Sequence, residues 1–352
     1  MRSLPTGGVG VPFSARFHSA RSGRHPDGVL VGGLRMSRAS DEFAHQPVMG
    51  QEIVDLLAPV PAGVVLDATV GGGGHAAAVL EAHPHLSVVG LDQDPTAVAA
   101  ARARLAPFGS RARLVRDRFD RLDAVLADLG VRALSGALFD LGVSSPQLDR
   151  PGRGFSYRAE GPLDMRMDPD TARSAADVVN ASTEQELVAL FVANGEGRFA
   201  RRIARAVIAA RPVTTTTQLA AVVRDAIPAA TRRHGGHPAK RVFQAVRIAV
   251  NDELAVLPGA LEAALDLLVP GGRALVLAYH SGEDRIVKAT FRHAETGGCV
   301  CPPGLPCVCG AQPTVRLVRR GALKPSAEEL ATNRRAESAR LRIVERLAVV
   351  GR

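Results

Sequence analysis

Short apolar runs alternate with amphipathic segments over residues 60–141. The runs predict strands at 64–67, 86–92, 112–116 and 134–141, and two of the segments between them predict helices at 95–105 and 117–129. Strands that alternate with helices form a parallel sheet with helices on both faces. The predicted fold class is therefore α/β, with a doubly wound, Rossmann-like sheet.

The alternation stops between residues 150 and 236, where the pattern predicts helices at 184–193 and 198–210. It resumes at residue 237 with a helical stretch, in which apolar residues from Val242 to Leu257 keep a period near four, and with a strand at 274–278 after Gly271-Gly272. We predict a disordered basic leader, a discontinuous core and a helical insertion. They span residues 1–40, residues 41–149 with 237–352, and residues 150–236, respectively.

Four glycines follow the first predicted strand, in the stretch VVLDATVGGGGH from Val64 to His75. Glycine allows a sharp turn and close approach of a ligand, and the amides that open the next helix offer hydrogen-bond donors. Eighteen residues after Gly74, the second predicted strand ends in Asp92, where nucleotide-binding sheets place a ribose-hydroxyl acceptor. The spacing predicts a site for an adenosine-containing cofactor, although a structural turn or a dinucleotide site also fits the glycines.

A second candidate site follows the fourth predicted strand, in the loop from Asp140 to Asp149. Enzymes that methylate an exocyclic amine of a base place polar residues and prolines here, because the weakly basic amine needs acceptors to orient it. We predict that Asp140 is the main acceptor, that Ser144 or Ser145 assists it, and that Pro146 fixes the shape of the loop. The alternative is a Ser/Pro turn that only leaves the strand.

The net charge of +9 is unevenly distributed along the chain. Residues 1–40 carry six arginines and one aspartate, so the leader contributes +5 and the remainder +4. Basicity alone is therefore weak support for a nucleic-acid partner. The leader has the composition of an organellar transit peptide, but we favour Met36 as an alternative start of translation. The chain has no secretory or membrane-length apolar run, and we expect a cytoplasmic protein.

The predicted helix at 198–210 carries an apolar stripe and a separate face with Arg201, Arg202 and Arg205. Such a face is often only solvated. Its place in an insertion beside a cofactor cleft favours contact with phosphates.

Two features near the end of the chain are ambiguous. Ser281 and Asp284 have the spacing of a capping box, and His280 just before them lies at a ligand-facing strand end. Cys299, Cys301, Cys307 and Cys309 form two C-x-C pairs, a tighter spacing than structural zinc sites usually have. Two reduced thiol pairs are the alternative, and we assign no metal ligand.

Taken together, long motifs between His45 and Arg342 resemble the RsmH (MraW) family, whose members are S-adenosylmethionine-dependent methyltransferases of small-subunit ribosomal RNA. The motifs are DAT with GGGGH from Asp67, DQD from Asp92, DLGVSSPQLD from Asp140, RGFSY, GPLDMRMD, HPAKRVFQAVRIAVNDEL, GGRALVLAYHSGEDRIVK and NRRAESARLR. The chain differs from the usual family pattern in two places. Val70 replaces a phenylalanine after the threonine of the glycine loop, and Ser281-Gly282 replaces a Ser-Leu pair after the strand-end histidine.

The resemblance implies a class I methyltransferase core that methylates N4 of one cytidine, with S-adenosylmethionine as cofactor and the assembled small ribosomal subunit as partner. The implied cofactor contacts are Gly73, Gly74, His75, Asp92, Phe119, Asp140 and Gln147. Two other functions are possible from the sequence. They are a nicotinamide-dependent dehydrogenase, which the loose glycine pattern allows, and a non-catalytic RNA-binding factor on the same fold.

Overall fold

Seven strands form one sheet in the order β3-β2-β1-β4-β5-β7-β6. Strands β1 to β5 are parallel, and β7 runs antiparallel between β5 and β6. This topology confirms the predicted doubly wound sheet. The strands are β1 (Gly63–Asp67), β2 (Leu86–Asp92), β3 (Ala112–Arg116), β4 (Leu134–Asp140), β5 (Leu268–Ala278), β6 (Val315–Leu317) and β7 (Arg340–Arg346).

The structure is a computed structural model that describes residues 46–229, 237–302 and 307–348. The predicted leader, residues 1–40, lies outside the described residues. The first six helices are α1 (Gly50–Leu57), α2 (Gly74–Ala82), α3 (Pro95–Leu105), α4 (Leu122–Asp128), α5 (Ser145–Asp149) and α6 (Ala175–Ala181). The next seven are α7 (Glu184–Ala193), α8 (Ala200–Ala209), α9 (Thr216–Ala226), α10 (Lys240–Asn251), α11 (Glu253–Leu267), α12 (Ser281–Thr296) and α13 (Ala327–Thr332).

Local sequence signals account for the elements that were predicted at or near their observed bounds. Helix α3 begins as expected because the Asp94 side chain accepts from Thr96 N at 2.9 Å and Pro95 occupies the first helical turn. Strand β4 is buried along its whole length except at Asp140, as expected for a central parallel strand. The predicted helix at 117–129 is instead a 3₁₀ turn at Phe119–Arg121 followed by α4.

Two further predicted boundaries were wrong. The apolar period from Val242 to Leu257 is divided between α10 and α11, because Asp252 adopts a left-handed conformation with φ 52°. Strand β5 begins before Gly271-Gly272, not after it. A β-carbon on Gly272 would lie 3.1 Å from the carbonyl oxygens of Leu134 and Ser135, so only glycine lets this irregular start of β5 approach β4.

The apolar core consists of three clusters. One face of the sheet is covered by α4, α11 and α12, and the other by α1, α2 and α3. The third cluster joins α6, α7, α8 and α9 to α10. Because α10 contributes Val242, Phe243 and Val246 to that cluster, the core of the insertion extends past residue 236. The division of the chain into a core and an insertion stays a prediction. Among the described helices, the apolar stretches are all too short to cross a membrane.

Candidate active site

The carboxyl ends of the parallel strands bring three acids together at one edge of the sheet. Asp67 ends β1, Asp92 ends β2 and Asp140 ends β4. The backbone N–H of Asp140 donates to Thr69 Oγ1 at 2.7 Å, which fixes the end of β4 against the start of the glycine loop. The edge is where doubly wound sheets bind ligands. The structure therefore brings the predicted cofactor loop and the predicted methylation loop to one place.

The glycine loop forms a tight turn and is hydrogen-bonded to the Asp92 side chain. Gly73 N donates to Val70 O at 2.8 Å, and Gly71 N donates to Asp92 Oδ2 at 2.9 Å. A β-carbon on Gly73 would lie 3.3 Å from Ala101 Cα, and one on Gly74 would lie 2.8 Å from Pro47 Cγ. Packing therefore explains why residues 73 and 74 are glycines, as the structural alternative supposed. Contact of Gly73 and Gly74 with a cofactor stays a prediction.

Asp92 is held in place by backbone donors on both carboxylate oxygens. Oδ2 accepts from Gly71 N, and Oδ1 accepts from Asp94 N at 2.9 Å. Burial raises the pKa of Asp92 to about 6, although these two hydrogen bonds oppose the shift. Each carboxylate oxygen retains a lone pair that can accept a hydroxyl, so the geometry is compatible with the predicted ribose contact.

His75 links the glycine loop to Asp140. Its Nε2 lies 2.9 Å from the carbonyl oxygen of Val48, and its Nδ1 lies 3.6 Å from Asp140 Oδ2. A carbonyl can only accept, so Nε2 carries a hydrogen and Nδ1 faces the carboxyl. Both facing atoms, His75 Nδ1 and Asp140 Oδ2, are acceptors unless one carries a proton, so their contact is favourable when a proton lies between them.

Asp67 lies close to His75. Burial raises the pKa of Asp67 to about 7, although the charge of His75 opposes the shift.

Tyr279 is a site residue that sequence reasoning did not assign. Its hydroxyl donates to Asp140 Oδ1 at 2.7 Å. Burial raises the pKa of Asp140, and burial together with that carboxylate raises the pKa of Tyr279 well above its usual value. The tyrosine remains a donor at neutral pH and orients the carboxyl. The signal for it was its position, because Tyr279 directly follows the strand next to β4.

The loop after β4 is braced by the side chain of Gln147. Ser144 N donates to Gln147 Oε1 at 3.0 Å, and Gln147 Nε2 donates to Asp94 Oδ2 at 3.1 Å. The amide therefore ties the loop after β4 to the loop after β2. Direct contact of Gln147 with a cofactor stays a prediction, since both ends of its buried amide already bind protein atoms.

The remaining residues of this loop form a short helix, α5. Ser145 begins α5, and Pro146 is buried at its first turn, as expected for a proline that fixes the loop. Ser144 is the N-cap of α5 in a capping box with Gln147, but its Oγ, which is shielded from solvent, makes no well-formed hydrogen bond to the described part of the chain. A buried hydroxyl without a partner is costly, so a ligand that satisfies it gains affinity. The roles of Ser144, Ser145 and Pro146 in catalysis stay predictions.

Arg153 is a second residue that sequence reasoning did not assign. Its Nη1 donates to Asp94 Oδ2 at 2.6 Å, and its Nη2 donates to the carbonyl oxygens of Arg166 and Met167 at 2.9 and 3.0 Å. Arg116 Nη2 adds a bond of 2.6 Å to Asp168. The start of the insertion is therefore fastened to the ends of β2 and β3, beside the candidate cofactor site.

Phe119 occupies the predicted corner after β3. It begins the 3₁₀ turn and packs edge-to-face on Phe139 of β4, with ring centroids 5.9 Å apart. The half-buried ring leaves part of its surface free, and its contact with a cofactor stays a prediction.

The predicted capping box at Ser281 and Asp284 was wrong by one residue. His280 is the N-cap of α12, and its Nδ1 accepts from Gly282 N at 3.1 Å. Glu283 Oε2 accepts from the backbone N–H groups of Tyr279 and His280 at 2.7 and 3.1 Å. Asp284 instead pairs with Arg342 at 2.8 Å. This favours the structural role for His280 and shows that Glu283 positions Tyr279.

One arginine of the predicted arginine face of α8 is already paired with an acid of the protein. Arg201 and Arg202 are exposed, while Arg205 Nε lies 2.9 Å from Glu184 Oε1. Ile203, between them in the sequence, is fully buried, which confirms the two-sided character of the helix.

Comparison with known proteins agrees with these motifs. The profile of the MraW methylase family matches residues 42–347. A protein of Heliobacterium modesticaldum named ribosomal RNA small subunit methyltransferase H is 49% identical over 311 residues, which cover 87% of this chain and 99% of the relative. A protein of the same name from Thermobifida fusca is 52% identical over 316 residues, or 88% and 95% of the two chains.

A solved structure, a putative rRNA-methylase from Clostridium thermocellum, covers 86% of this chain and all of its own at 14% identity, with a TM-score of 0.41. That similarity is too low to support an argument about function. The match of the family profile spans both the predicted core and the predicted insertion. The chain therefore belongs to the MraW methylase family.

Proposed function

We propose that this chain transfers a methyl group from S-adenosylmethionine to the exocyclic N4 of a cytidine in small-subunit ribosomal RNA. The observation that carries the proposal is the meeting of Asp92, Asp140 and the unpaired Ser144 hydroxyl at one edge of the sheet. The family supports the methyl transfer, and the names of the curated relatives support the ribosomal substrate. Membership of a methylase family also removes the reason to consider a dehydrogenase.

The donor set fits S-adenosylmethionine. Asp92 has free lone pairs for the two ribose hydroxyls, and Asp67 and Asp140 place further negative charge close by. A carboxylate cluster in a buried site favours a cationic ligand, because a nearby positive charge offsets the cost of ionising buried acids. The cofactor supplies an electrophilic methyl group on a positively charged sulfur.

The residues of the chain have mainly to position the cytidine. The lone pair of its exocyclic amine is conjugated into the ring, so the nitrogen becomes a good nucleophile only as it pyramidalises. Asp140, oriented by Tyr279, accepts a hydrogen bond from the amine and stabilises the positive charge that develops on it. Ser144 or Ser145 supplies a second acceptor. No strong base is needed, because the methylated amine then releases its proton to solvent or to a carboxylate.

The insertion is the proposed RNA-binding part. Its first loop is fastened beside the cofactor site by Arg153 and Arg116, so RNA bound to the insertion reaches the strand ends. The target base has to leave its stack to enter the site. We propose the assembled small subunit as the substrate and the cytoplasm as the place of action, because the resemblance implies methylation of one cytidine in the assembled subunit.

Methyl transfer to isolated small subunits tests the proposal. Subunits that lack the modification are incubated with enzyme and labelled S-adenosylmethionine, and the RNA is digested to nucleosides for mass spectrometry. We expect label in N4-methylcytidine, and more of it with subunits than with deproteinised RNA. Label on carbon 5 or on a ribose would contradict the assigned reaction, and no transfer at all would favour a non-catalytic RNA-binding factor.

A further inference from the structure

The four cysteines of the chain meet in one cluster after α12. All four sulfur atoms lie within 4.8 Å of one another. The Sγ of Cys299 lies 3.5 Å from that of Cys307 and 3.7 Å from that of Cys309, and the Sγ atoms of Cys307 and Cys309 are 3.5 Å apart. The chain contains four cysteines in total, so every thiol is in this cluster.

These distances do not fit disulfides. A disulfide bond joins sulfurs about 2.05 Å apart, and the four cysteines are free thiols. They do fit one tetrahedral metal ion. Zinc–thiolate bonds of about 2.3 Å place the sulfurs of a tetrahedron roughly 3.8 Å apart. The three sulfur–sulfur distances fit a single metal centre, since a multi-iron cluster would hold the thiolates further apart.

The chain on both sides of the cluster is fixed to α12. Gly297 ends the helix in a left-handed conformation, and a β-carbon there would lie 2.4 Å from backbone atoms of Gln312. Thr314 N donates to Ala294 O at 3.0 Å, so the returning chain is bonded to the last turn of the helix. The two C-x-C pairs are therefore brought together by their flanks. These flanking contacts bring the four sulfurs together, which the tight C-x-C spacing alone did not predict.

Each C-x-C pair directs both sulfurs toward the shared cluster, and the residue between them points into solvent. Val300 and Val308 are 85% and 88% exposed, among the few large apolar residues of the described chain that face solvent. Backbone N–H groups point at the sulfurs, including that of Val308, which lies 3.4 Å from Cys301 Sγ. Such N–H···S contacts stabilise thiolates. With its valines outside, the described part of the segment, residues 299–302 and 307–310, buries no side chain fully.

We propose that Cys299, Cys301, Cys307 and Cys309 bind one zinc ion as four thiolates. Four protein ligands leave no open position, which makes the site structural and not catalytic. It lies at the opposite end of α12 from His280 and Glu283, about 24 Å away along a helix of 16 residues. Zinc therefore orders this segment without taking part in methyl transfer.

Metal analysis of the full-length protein tests the site. The protein is purified under reducing conditions without an affinity tag that binds metal, and zinc is measured by elemental analysis and native mass spectrometry. We expect one zinc per chain, released by a mercurial that blocks thiols. Replacement of zinc by cobalt should give the intense visible absorption of tetrahedral cobalt thiolates.

Matched variants assign the ligands. Cys301→Ser with Cys309→Ser should lose the zinc, whereas Val300→Ser with Val308→Ser changes the same two turns without removing a ligand and should keep it. Wild-type protein with no stoichiometric metal, with iron in place of zinc, or with a mass four hydrogens lower from two disulfides would overturn the proposal. The wild-type measurement decides even if the cysteine variant fails to fold. Zinc retained by a folded cysteine variant would also overturn it.

Discussion

The strand-end site and the arginine face of α8 are opposite in charge and in setting. The strand-end site holds Asp67, Asp92 and Asp140, largely enclosed and bonded to the protein. Arg201 and Arg202 extend from α8 into solvent. The first region is suited to a small cation that replaces water, and the second to a large polyanion that stays hydrated. Changes in the first should therefore respond to pH, and changes in the second to salt.

The largest effect is expected at Asp140. Asp140→Asn keeps the shape of the side chain but removes its charge, and we expect the methylation rate to fall by on the order of tenfold to a thousandfold. Single-turnover rates at saturating S-adenosylmethionine measure the chemical step. Tyr279→Phe, which removes only the hydroxyl that orients Asp140, should give a smaller loss. A wild-type rate for Asp140→Asn would leave Asp140 a binding residue for the amino group of the cofactor.

The next effect is expected at Asp92. Asp92→Ala leaves two ribose hydroxyls unpaired in a partly closed site, which costs roughly 1–3 kcal/mol, or about ten- to a hundredfold in affinity for S-adenosylmethionine. Calorimetric titration of folded protein measures it. Asp123→Ala is the control, because Asp123 is exposed on α4, and it should bind normally. Equal affinity of the two variants would remove Asp92 from the cofactor site.

A third effect is a dependence of cofactor affinity on pH. The pKa values of Asp67 and Asp92 are raised to about 7 and about 6, so these acids take up protons as the pH falls from about 8 to about 6. A cationic ligand favours the ionised acids. We expect affinity to fall by roughly tenfold over that range, with proton release on binding. Titrations in buffers of different ionisation enthalpy measure both, and Asp92→Ala should reduce the number of protons released.

The same pKa shifts determine whether folding stability rises or falls with pH. The folded-state pKa values lie above the ordinary value of 3.8. The two acids therefore contribute stability below about pH 4, and this contribution is lost as the pH rises through about 6 to 7. The cofactor should consequently raise the melting temperature more at pH 8 than at pH 6. A larger increase at pH 6 would contradict buried acids that ionise on binding.

The smallest effect is expected on the arginine face. Arg201→Gln with Arg202→Gln should lower the slope of log affinity for RNA against log salt by about 1.4–1.8 units, since each phosphate contact contributes about 0.7–0.9. Arg205→Gln is the matched control, and it should change the slope less because Arg205 already pairs with Glu184. Cofactor affinity should not change. An unchanged slope in the double variant would mean that the face is only solvated.

The sequence predicted the elements better than the contacts between them. Period and capping determine α3 locally, so Pro95 and Leu105 were correct bounds. The bonds of Asp94 to Gln147 and Arg153 join residues 53 and 59 positions apart, and no local pattern encodes them. The cap at His280 was missed because an imidazole nitrogen there replaces the usual hydroxyl or carboxylate.

In the site, too, some features were predictable from the sequence and others were not. The positions of Asp92 and Asp140 at strand ends were predictable because each ends a run of apolar residues. The tyrosine hydroxyl on Asp140 required knowledge that β5 pairs with β4, which depends on tertiary structure. The cysteine spacing was a weaker match than usual zinc ligands, and only the fixed flanks at Gly297 and Thr314 bring the sulfurs together.

The position of β7 in the sheet has a consequence for how the enzyme is made. This strand is the last of the seven to be synthesised, yet it lies between β5 and β6 and pairs with β5 along six residues, from Arg273 to Ala278. Until residues 340–346 leave the ribosome, β5 is an unpaired edge next to the position of Tyr279. The strand that leads to Tyr279 is therefore paired on both sides only after translation has passed residue 346.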